Sequence, residues 1–187
     1  MDEEPPSTIS VTLAAAGWGH TLDDPVGLCR RALSATLARA APAPWVREAE
    51  VSVLLADDAT VRALNRTWRD RNRPTNVLSF PTLDLQPGAP APRPPGEQAL
   101  LGDIVLAFET VHAEAIAAAK PLADHLGHLL VHGCLHLIGH DHQTDAQADA
   151  MERLERTVLA ELQIPDPYAD AAGSVAVAGQ SALETVR

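Results

Sequence analysis

Residues 132–142 read HGCLHLIGHDH, a stretch that combines a helix-like apolar pattern with regularly spaced histidines. His132, His136 and His142 follow the pattern H-x3-H-x5-H. Positions four apart on a helix project from the same face, so His132 and His136 can reach one ion through their imidazoles. Gly139 tolerates a positive φ and lets the chain turn sharply after the helix, which can bring His142 back as a third ligand. The sequence therefore predicts a metal site at the end of a long helix.

The predicted ligand set suits one Zn²⁺ per chain. Three neutral imidazole nitrogens leave a fourth position for water, which is typical of a catalytic zinc site, whereas structural sites usually take four protein ligands, often thiolates. Cys134 is the only cysteine nearby, and it lies on a different helix face from His132 and His136. Zinc proteases of the metzincin type carry a glutamate directly after the first histidine, where this chain has Gly133. The alternative interpretation is a histidine-rich helix end that binds no metal.

Neighbouring polar residues have several possible roles. His128 lies one turn before His132 on the same predicted helix, and we assign it to the surroundings of the ligands or to packing. Asp141 can orient a ligand imidazole, transfer a proton or cap the turn. His140 lies in the same turn.

Composition and charge limit the class of protein. The chain has 187 residues, of which 46% are hydrophobic and 3% aromatic, so we expect one domain with an aliphatic core. No apolar run approaches the roughly 18 to 20 residues that a membrane helix needs, and the segment MDEEPPSTIS lacks a signal-peptide pattern. We therefore expect a cytoplasmic protein without membrane association, in which Cys29 and Cys134 stay unpaired.

The net charge of −11 argues against non-specific binding of nucleic acids. One segment is an exception, because five arginines lie close together with only one acidic residue among them: Arg62, Arg66, Arg69, Arg71 and Arg73. This cluster is either a solvated helix face or a strip that binds phosphate on an otherwise acidic protein. In the second case, Arg66, Arg69, Arg71 and Arg73 are the candidate substrate-binding residues.

The apolar patterns predict an α+β fold of the α/β type. Strands are expected at 9–16, 49–57, 74–81 and 101–109. Helices are expected at 25–40, after Asp57 or Asp58, at 110–138 with a break near Pro121, and at 145–162. The prolines around 74–81 favour an edge strand. The order β-α-β-α-β-β-α-α predicts a single mixed four-stranded sheet with helices packed on it.

The domain organisation predicted from these patterns is simple. A flexible N-terminus covers residues 1–8, one domain covers 9–168, and a disordered tail covers 169–187. Within the domain, the Pro/Gly-rich segment 84–98 is expected to form an extended loop.

Several segments together resemble the YbeY family of bacterial rRNA maturation endoribonucleases. They are LNRTWRDRNRPTNVLSFP (64–81), LGDIVL (101–106), HLGHLLVHGCLHLIGHDH (125–142), MERLE (151–155) and DPY (166–168). The resemblance extends from about residue 49 to 168. It implies a single-domain zinc hydrolase with a role in 16S rRNA 3′-end processing and ribosome quality control. Two departures are His140, where a tyrosine is common, and the longer, proline-richer loop 84–98.

The resemblance also implies residue roles and partners. It makes His132, His136 and His142 the metal ligands and Arg69 the functional arginine of the family. The expected activity is zinc-dependent cleavage of single-stranded RNA, with rRNA and ribosomal or small-subunit proteins as partners. Arg69 can bind a phosphate through two parallel hydrogen bonds, although an ion pair with Asp103 is an alternative.

Two other functions stay open at this point. One is a metal-dependent hydrolase of peptides or small molecules, against which Gly133 argues. The other is a non-catalytic ribosome-assembly factor with a structural zinc. For an RNA-cleaving enzyme, the group that protonates the leaving oxygen is left open between Asp141, His140 and solvent.

Overall fold

The computed structural model describes residues 8–96 and 98–169, together with the backbone of residues 184–185. The predicted flexible N-terminus lies outside the described residues except for Thr8. The predicted disordered tail also lies outside them except for Ala169 and residues 184–185.

The described chain contains five strands and six α-helices. The strands are β1 (Ile9–Leu13), β2 (Glu50–Ala56), β3 (Val77–Pro81), β4 (Leu100–Ala107) and the two-residue β5 (Glu184–Thr185). The helices are α1 (Ala16–Thr21), α2 (Pro25–Ala40), α3 (Asp58–Arg69), α4 (Phe108–Ala117), α5 (Leu122–Leu137) and α6 (Asp145–Glu161). A short 3-10 helix covers Pro44–Glu48.

The four longer strands form the predicted mixed sheet, in the order β1-β2-β4-β3. Strands β1, β2 and β4 run parallel, and β3 is antiparallel to β4. Strand β3 is the predicted edge of this four-stranded sheet, and the two residues of β5 pair with it in parallel. The predicted fold class is confirmed.

The first predicted strand differs most from the structure. The first predicted strand continued to residue 16, but β1 ends at Leu13 and α1 begins at Ala16. Helix α1 buries Trp18, whose indole N–H donates to the Ala56 carbonyl at 3.0 Å, so burial of one aromatic ring redirects this apolar stretch. The break predicted near Pro121 is present, and it separates α4 from α5.

Helices cover both faces of the sheet. Ile104 and Leu106 of β4 belong to the same buried cluster as Leu130 of α5. The alternate residue Val105 packs with Val61 of α3, since successive side chains of a strand point to opposite faces. Helix α5, which carries two of the predicted ligands, therefore lies on the opposite face from the arginine-bearing α3.

Helix α5 approaches the sheet most closely at Gly133. A Cβ at this position would lie 3.0 Å from Ser79 Oγ and 3.1 Å from a methyl carbon of Ile104. The Ser79 hydroxyl also donates to the Gly133 carbonyl at 3.3 Å. The position that carries a glutamate in metzincin proteases is thus packed against the sheet here, and even a Cβ would require these neighbours to shift by a few tenths of an ångström.

The core is built mainly from aliphatic side chains, as the composition predicts. Among the helices that the structure describes, none has the length and apolar character needed to cross a membrane.

Candidate metal centre

The side chains of His132, His136 and His142 converge at the C-terminal end of α5. One ligand nitrogen from each lies within 4.8 Å of the other two. The Nε2 atoms of His132 and His136 are 2.9 Å apart. The ring centroid of His142 lies 5.5 Å from that of His132 and 5.0 Å from that of His136. The first two histidines are buried and His142 is exposed, so the predicted trio forms a cluster with one open side.

Gly139 makes the turn that brings His142 back. Its φ of +96° belongs to the left-handed region that favours glycine. A Cβ there would also lie 2.0 Å from the carbonyl oxygen of Leu85. Both the backbone conformation and the close approach of the loop therefore require glycine at this position.

Hydrogen bonds fix the tautomers of the two buried histidines. His132 Nδ1 lies 2.6 Å from a carboxylate oxygen of Glu155, and His136 Nδ1 lies 2.9 Å from the carbonyl oxygen of His140. Both partners are acceptors, so both Nδ1 atoms carry the proton and donate it. The two Nε2 atoms then present lone pairs to each other at 2.9 Å. A cation beside them relieves this repulsion, which is the arrangement of imidazole ligands around a divalent metal.

The electrostatics of the cluster also suit a metal. Burial, reinforced by His132 and His142, lowers the pKa of His136 to about 2. Burial likewise lowers the pKa of His132, despite the opposing hydrogen bond to Glu155. Both rings are therefore neutral at neutral pH, as metal coordination requires.

The sequence patterns did not identify Glu155 as part of this centre. Burial opposes its ionisation, but the nearby His128 and the hydrogen bond with His132 outweigh that effect and hold the pKa of Glu155 below the usual value. Glu155 also accepts a hydrogen bond from the Tyr168 hydroxyl. It lies on α6 on the same buried stripe as Met151 and Val158. A buried carboxylate needs a polar partner. The position of Glu155 on the apolar stripe of α6 was therefore the one feature of the sequence that could have indicated its role.

A capping box at the N-terminus of α6 fixes the start of the helix that carries Glu155. Thr144 and Gln147 form a capping box, in which each side chain bonds the backbone N–H of the other residue. This cap fixes the start of α6 directly after the turn that carries His142.

We expect the Glu155→Gln variant to bind metal about 10- to 100-fold more weakly, because it loses the negative charge that orients the His132 imidazole and raises its basicity. Competition with a chromophoric chelator measures this affinity. Glu161→Gln is the matched control, since Glu161 lies at the surface of the same helix and faces Arg39 at 3.9 Å. Equal metal affinity in the two variants would contradict the role of Glu155.

His128 and Asp141 both lie beside the cluster. His128 Nε2 is 3.8 Å from Glu155, and its ring centroid is 6.5 Å from that of His132. The Asp141 carboxylate accepts from the backbone N–H of His142 and from the Gln143 side chain, each at 2.8 Å. These are the contacts of a residue that caps the turn, and a catalytic role for Asp141 stays a prediction.

The arginines belong to a different part of the fold. Arg66 and Arg69 lie in the last turn of α3, and Arg71 and Arg73 lie in the loop that follows. Burial, together with the charges of Arg71 and Arg73, lowers the pKa of Arg69, so these cations are close enough to create a local positive potential. Asp103 lies on the sheet face that α3 covers, and the alternative ion pair with Arg69 stays open.

A cavity of about 810 Å³ adjoins the histidine cluster. Its lining includes His132, His142, His128, Asn76, Glu114 and His125. Of the described residues that line it, none is an arginine, so the predicted contacts of the arginines with substrate stay predictions. Asn76 brings the end of the arginine-bearing loop to the cavity wall.

The mixed sheet and the three-histidine cluster define a class of protein, an α/β fold with an open histidine cluster that could hold a metal ion. A family model described as Endoribonuclease YbeY matches residues 27–163. The chain belongs to the YbeY family of endoribonucleases.

Individual relatives agree with this assignment. A protein from Paramagnetospirillum magneticum named Endoribonuclease YbeY is 48% identical over 162 residues, which cover 87% of this chain and 96% of the relative. A protein of the same name from a Bradyrhizobium species is 46% identical over 175 residues, covering 91% of this chain and 97% of the relative. The solution structure of TM1509 from Thermotoga maritima shares the fold with a TM-score of 0.52 at 20% identity, over 90% of this chain and 100% of that chain.

Proposed function

We propose that this protein hydrolyses phosphodiester bonds of single-stranded RNA at the histidine cluster, with one Zn²⁺ per chain. The observation that carries the proposal is the pair of unprotonated Nε2 atoms, 2.9 Å apart and completed by an exposed third histidine, beside a cavity in an endoribonuclease-family chain. A zinc ion held there supplies Lewis acidity and lowers the pKa of a coordinated water.

The residues around the metal site have separate roles in the proposed reaction. His132, His136 and His142 hold the metal, and Glu155 and the His140 carbonyl keep two of the rings in the tautomer that metal binding requires. Gly133 leaves no glutamate beside the ligands to shuttle a proton to an amide leaving group, which supports RNA over peptide substrates. Hydrolysis of a phosphodiester instead requires neutralisation of the negative charge on its non-bridging oxygens, and we assign this role to Arg69.

The proposed natural substrate is ribosomal RNA, at the 3′ end of 16S rRNA, in ribosome maturation and quality control. Support comes from the family and from the charge distribution, since an acidic protein with one arginine strip suits a ribonucleoprotein in which basic proteins adjoin RNA. Small-subunit ribosomal proteins are the proposed protein partners. The cytoplasmic location expected from the sequence belongs to the same proposal.

A direct comparison of substrates tests the reaction class. We expect the zinc-loaded protein to cleave single-stranded RNA and to leave unstructured peptides intact under the same conditions. Peptide cleavage without RNA cleavage would replace the proposal with a metalloprotease activity.

We expect the Arg69→Ala variant to keep its metal but to cleave RNA about a hundredfold more slowly, because it loses one charge-assisted contact of a few kcal/mol with phosphate. Metal analysis and initial rates on one RNA oligonucleotide give the two quantities. Arg30→Ala is the matched control, since it removes the same charge from an exposed position on α2. Turnover equal to that of Arg30→Ala would remove Arg69 from the site.

A further inference from the structure

The segment 166–168, with the sequence DPY, lies beside the candidate metal centre, and the proposed reaction gives it no role. Tyr168 lines the same cavity as His132. Its hydroxyl donates to Oε2 of Glu155, and Oε1 of the same carboxylate lies 2.6 Å from His132 Nδ1. One carboxylate therefore connects the tyrosine hydroxyl with a predicted metal ligand.

The chemistry of the three groups fixes the direction of these hydrogen bonds. An ionised carboxylate only accepts, so both neighbours of Glu155 are donors. Burial, reinforced by the charge of Glu155, raises the pKa of the Tyr168 hydroxyl, which therefore keeps its proton and donates it. His132 donates from Nδ1 to the other oxygen. With one donor on each oxygen, the carboxylate cannot rotate without losing a hydrogen bond.

The Tyr168 hydroxyl is important to Glu155 because this carboxylate is buried. The Glu155 side chain is 1% exposed, and a buried charge is costly unless its oxygens are hydrogen-bonded. His128 Nε2 is 3.8 Å from Oε2, which is too far for a hydrogen bond. Among the residues that the structure describes, Tyr168 is therefore the donor that satisfies Oε2.

The fold holds segment 166–168 through contacts that do not involve Glu155. Asp166 Oδ2 lies 3.3 Å from Arg156 Nε, and its Oδ1 accepts from the Tyr168 backbone N–H at 2.9 Å. The Pro167 carbonyl accepts from Lys120 Nζ at 3.3 Å. The Arg156 guanidinium lies 4.9 Å from the Tyr168 ring centroid, within the range of a cation–π contact. The hydroxyl is thus fixed independently, and it can determine the orientation of the carboxylate.

We propose that Tyr168 is a positioning residue of the metal centre. Its hydroxyl orients the Glu155 carboxylate, and the carboxylate holds the His132 imidazole in the orientation that brings Nε2 to the histidine cluster. This inference rests on the metal site of the proposed function. It extends the metal centre beyond residue 163, where the match to the family model ends.

The test separates the hydroxyl from the ring and from the stability of the fold. Tyr168→Phe removes the hydroxyl alone, and Tyr168→Ala removes the ring as well. Thr157→Val is the matched control, because it removes a hydroxyl of α6 that donates to a backbone carbonyl of the same helix at 2.8 Å. Tyr168→Phe is also made in the Glu155→Gln protein. Competition with a chromophoric chelator gives the Zn²⁺ affinity of each variant, and thermal unfolding of the metal-free proteins gives their stability.

We expect Tyr168→Phe to bind Zn²⁺ about 5- to 10-fold more weakly, which is less than the 10- to 100-fold expected for a direct partner of a ligand. Tyr168→Ala should lose the same affinity, although its metal-free form is less stable because ring packing is lost as well. In the Glu155→Gln protein, Tyr168→Phe should change the affinity by less than about twofold, since the connection to the ligand is already broken.

A tyrosine with only a structural role would lower stability and leave the Zn²⁺ affinity unchanged. Equal affinity in Tyr168→Phe and Thr157→Val would therefore overturn the inference. Equal weakening by Tyr168→Phe with and without the Glu155→Gln change would overturn it too, because the hydroxyl would then not act through Glu155. A wild-type protein that binds no Zn²⁺ would instead contradict the proposed function.

Discussion

The His136→Ala variant is expected to lose both its bound metal and its RNA cleavage. His136 supplies one of two buried Nε2 atoms that face each other at 2.9 Å, and the remaining pair includes the exposed His142. Removing even a hydrogen-bond partner of a ligand costs about 10- to 100-fold, so loss of a ligand itself should reduce activity by more than a hundredfold. Metal analysis by mass spectrometry and a cleavage assay on single-stranded RNA measure both effects.

A matched histidine provides the control for this result. His20 lies exposed in α1 and outside the cluster, and His20→Ala should keep both metal and activity. Since His136 is buried, circular dichroism must show that His136→Ala retains its helices before the two are compared. A folded His136→Ala variant that binds metal and cuts RNA like His20→Ala would contradict the assignment of this ligand.

The Gly133→Glu variant, which introduces the residue that metzincin proteases carry at this position, is expected to lose most of its stability. Its Cβ would meet Ser79 Oγ at 3.0 Å and Ile104 at 3.1 Å, and its carboxylate would enter the interface between α5 and the sheet. Overpacking costs about 1–3 kcal/mol, and burying a charge without a partner costs several more. Typical domains are stable by about 5–15 kcal/mol, so much of the chain should be unfolded or thermally labile.

Urea or thermal unfolding, followed by circular dichroism, measures this loss. Gly19→Glu is the control, because a Cβ at Gly19 meets only one leucine methyl at an ordinary 3.6 Å. We expect Gly133→Ala to fall between the two, since it adds the contact without the charge. A Gly133→Glu protein as stable as Gly19→Glu would show that the helix does not press against the sheet here.

Much of the fold could be predicted from local patterns. The apolar runs of β2 and β4 identified buried strands, and the prolines around β3 identified an edge strand. The start of α1 could not be predicted, because it depends on the fit of Trp18 between distant elements. The pairing of β5 with β3 involves only two residues and has no pattern of its own.

The candidate site shows the same division. The spacing of His132, His136 and His142 was sufficient to predict the cluster, since three ligands within one helix and its turn are a local feature. Glu155 and Glu114 reach the cavity from other helices, and no spacing in the sequence connects them with the histidines. The only feature of the sequence that indicated a role for these two glutamates was their position on helix faces that are otherwise apolar.

The sequence predicted the charge of the arginine cluster but not its position relative to the histidine cluster. The sequence predicted a strip of positive charge, and the structure groups Arg69 with Arg71 and Arg73 electrostatically. Helix α3 nevertheless lies on the sheet face opposite to α5. Only the end of the following loop, at Asn76, reaches the cavity, so the position of the arginines relative to the histidine cluster depends on tertiary structure and could not be predicted from the sequence.

The most direct test of the account is RNA cleavage by the purified protein before and after its metal is removed. We predict about one divalent ion per chain, loss of cleavage after chelation with the fold retained by circular dichroism, and recovery when Zn²⁺ is returned. Full-rate cleavage by protein shown to be free of metal would contradict the account. Unfolding upon chelation would contradict it as well, because the metal would then be structural.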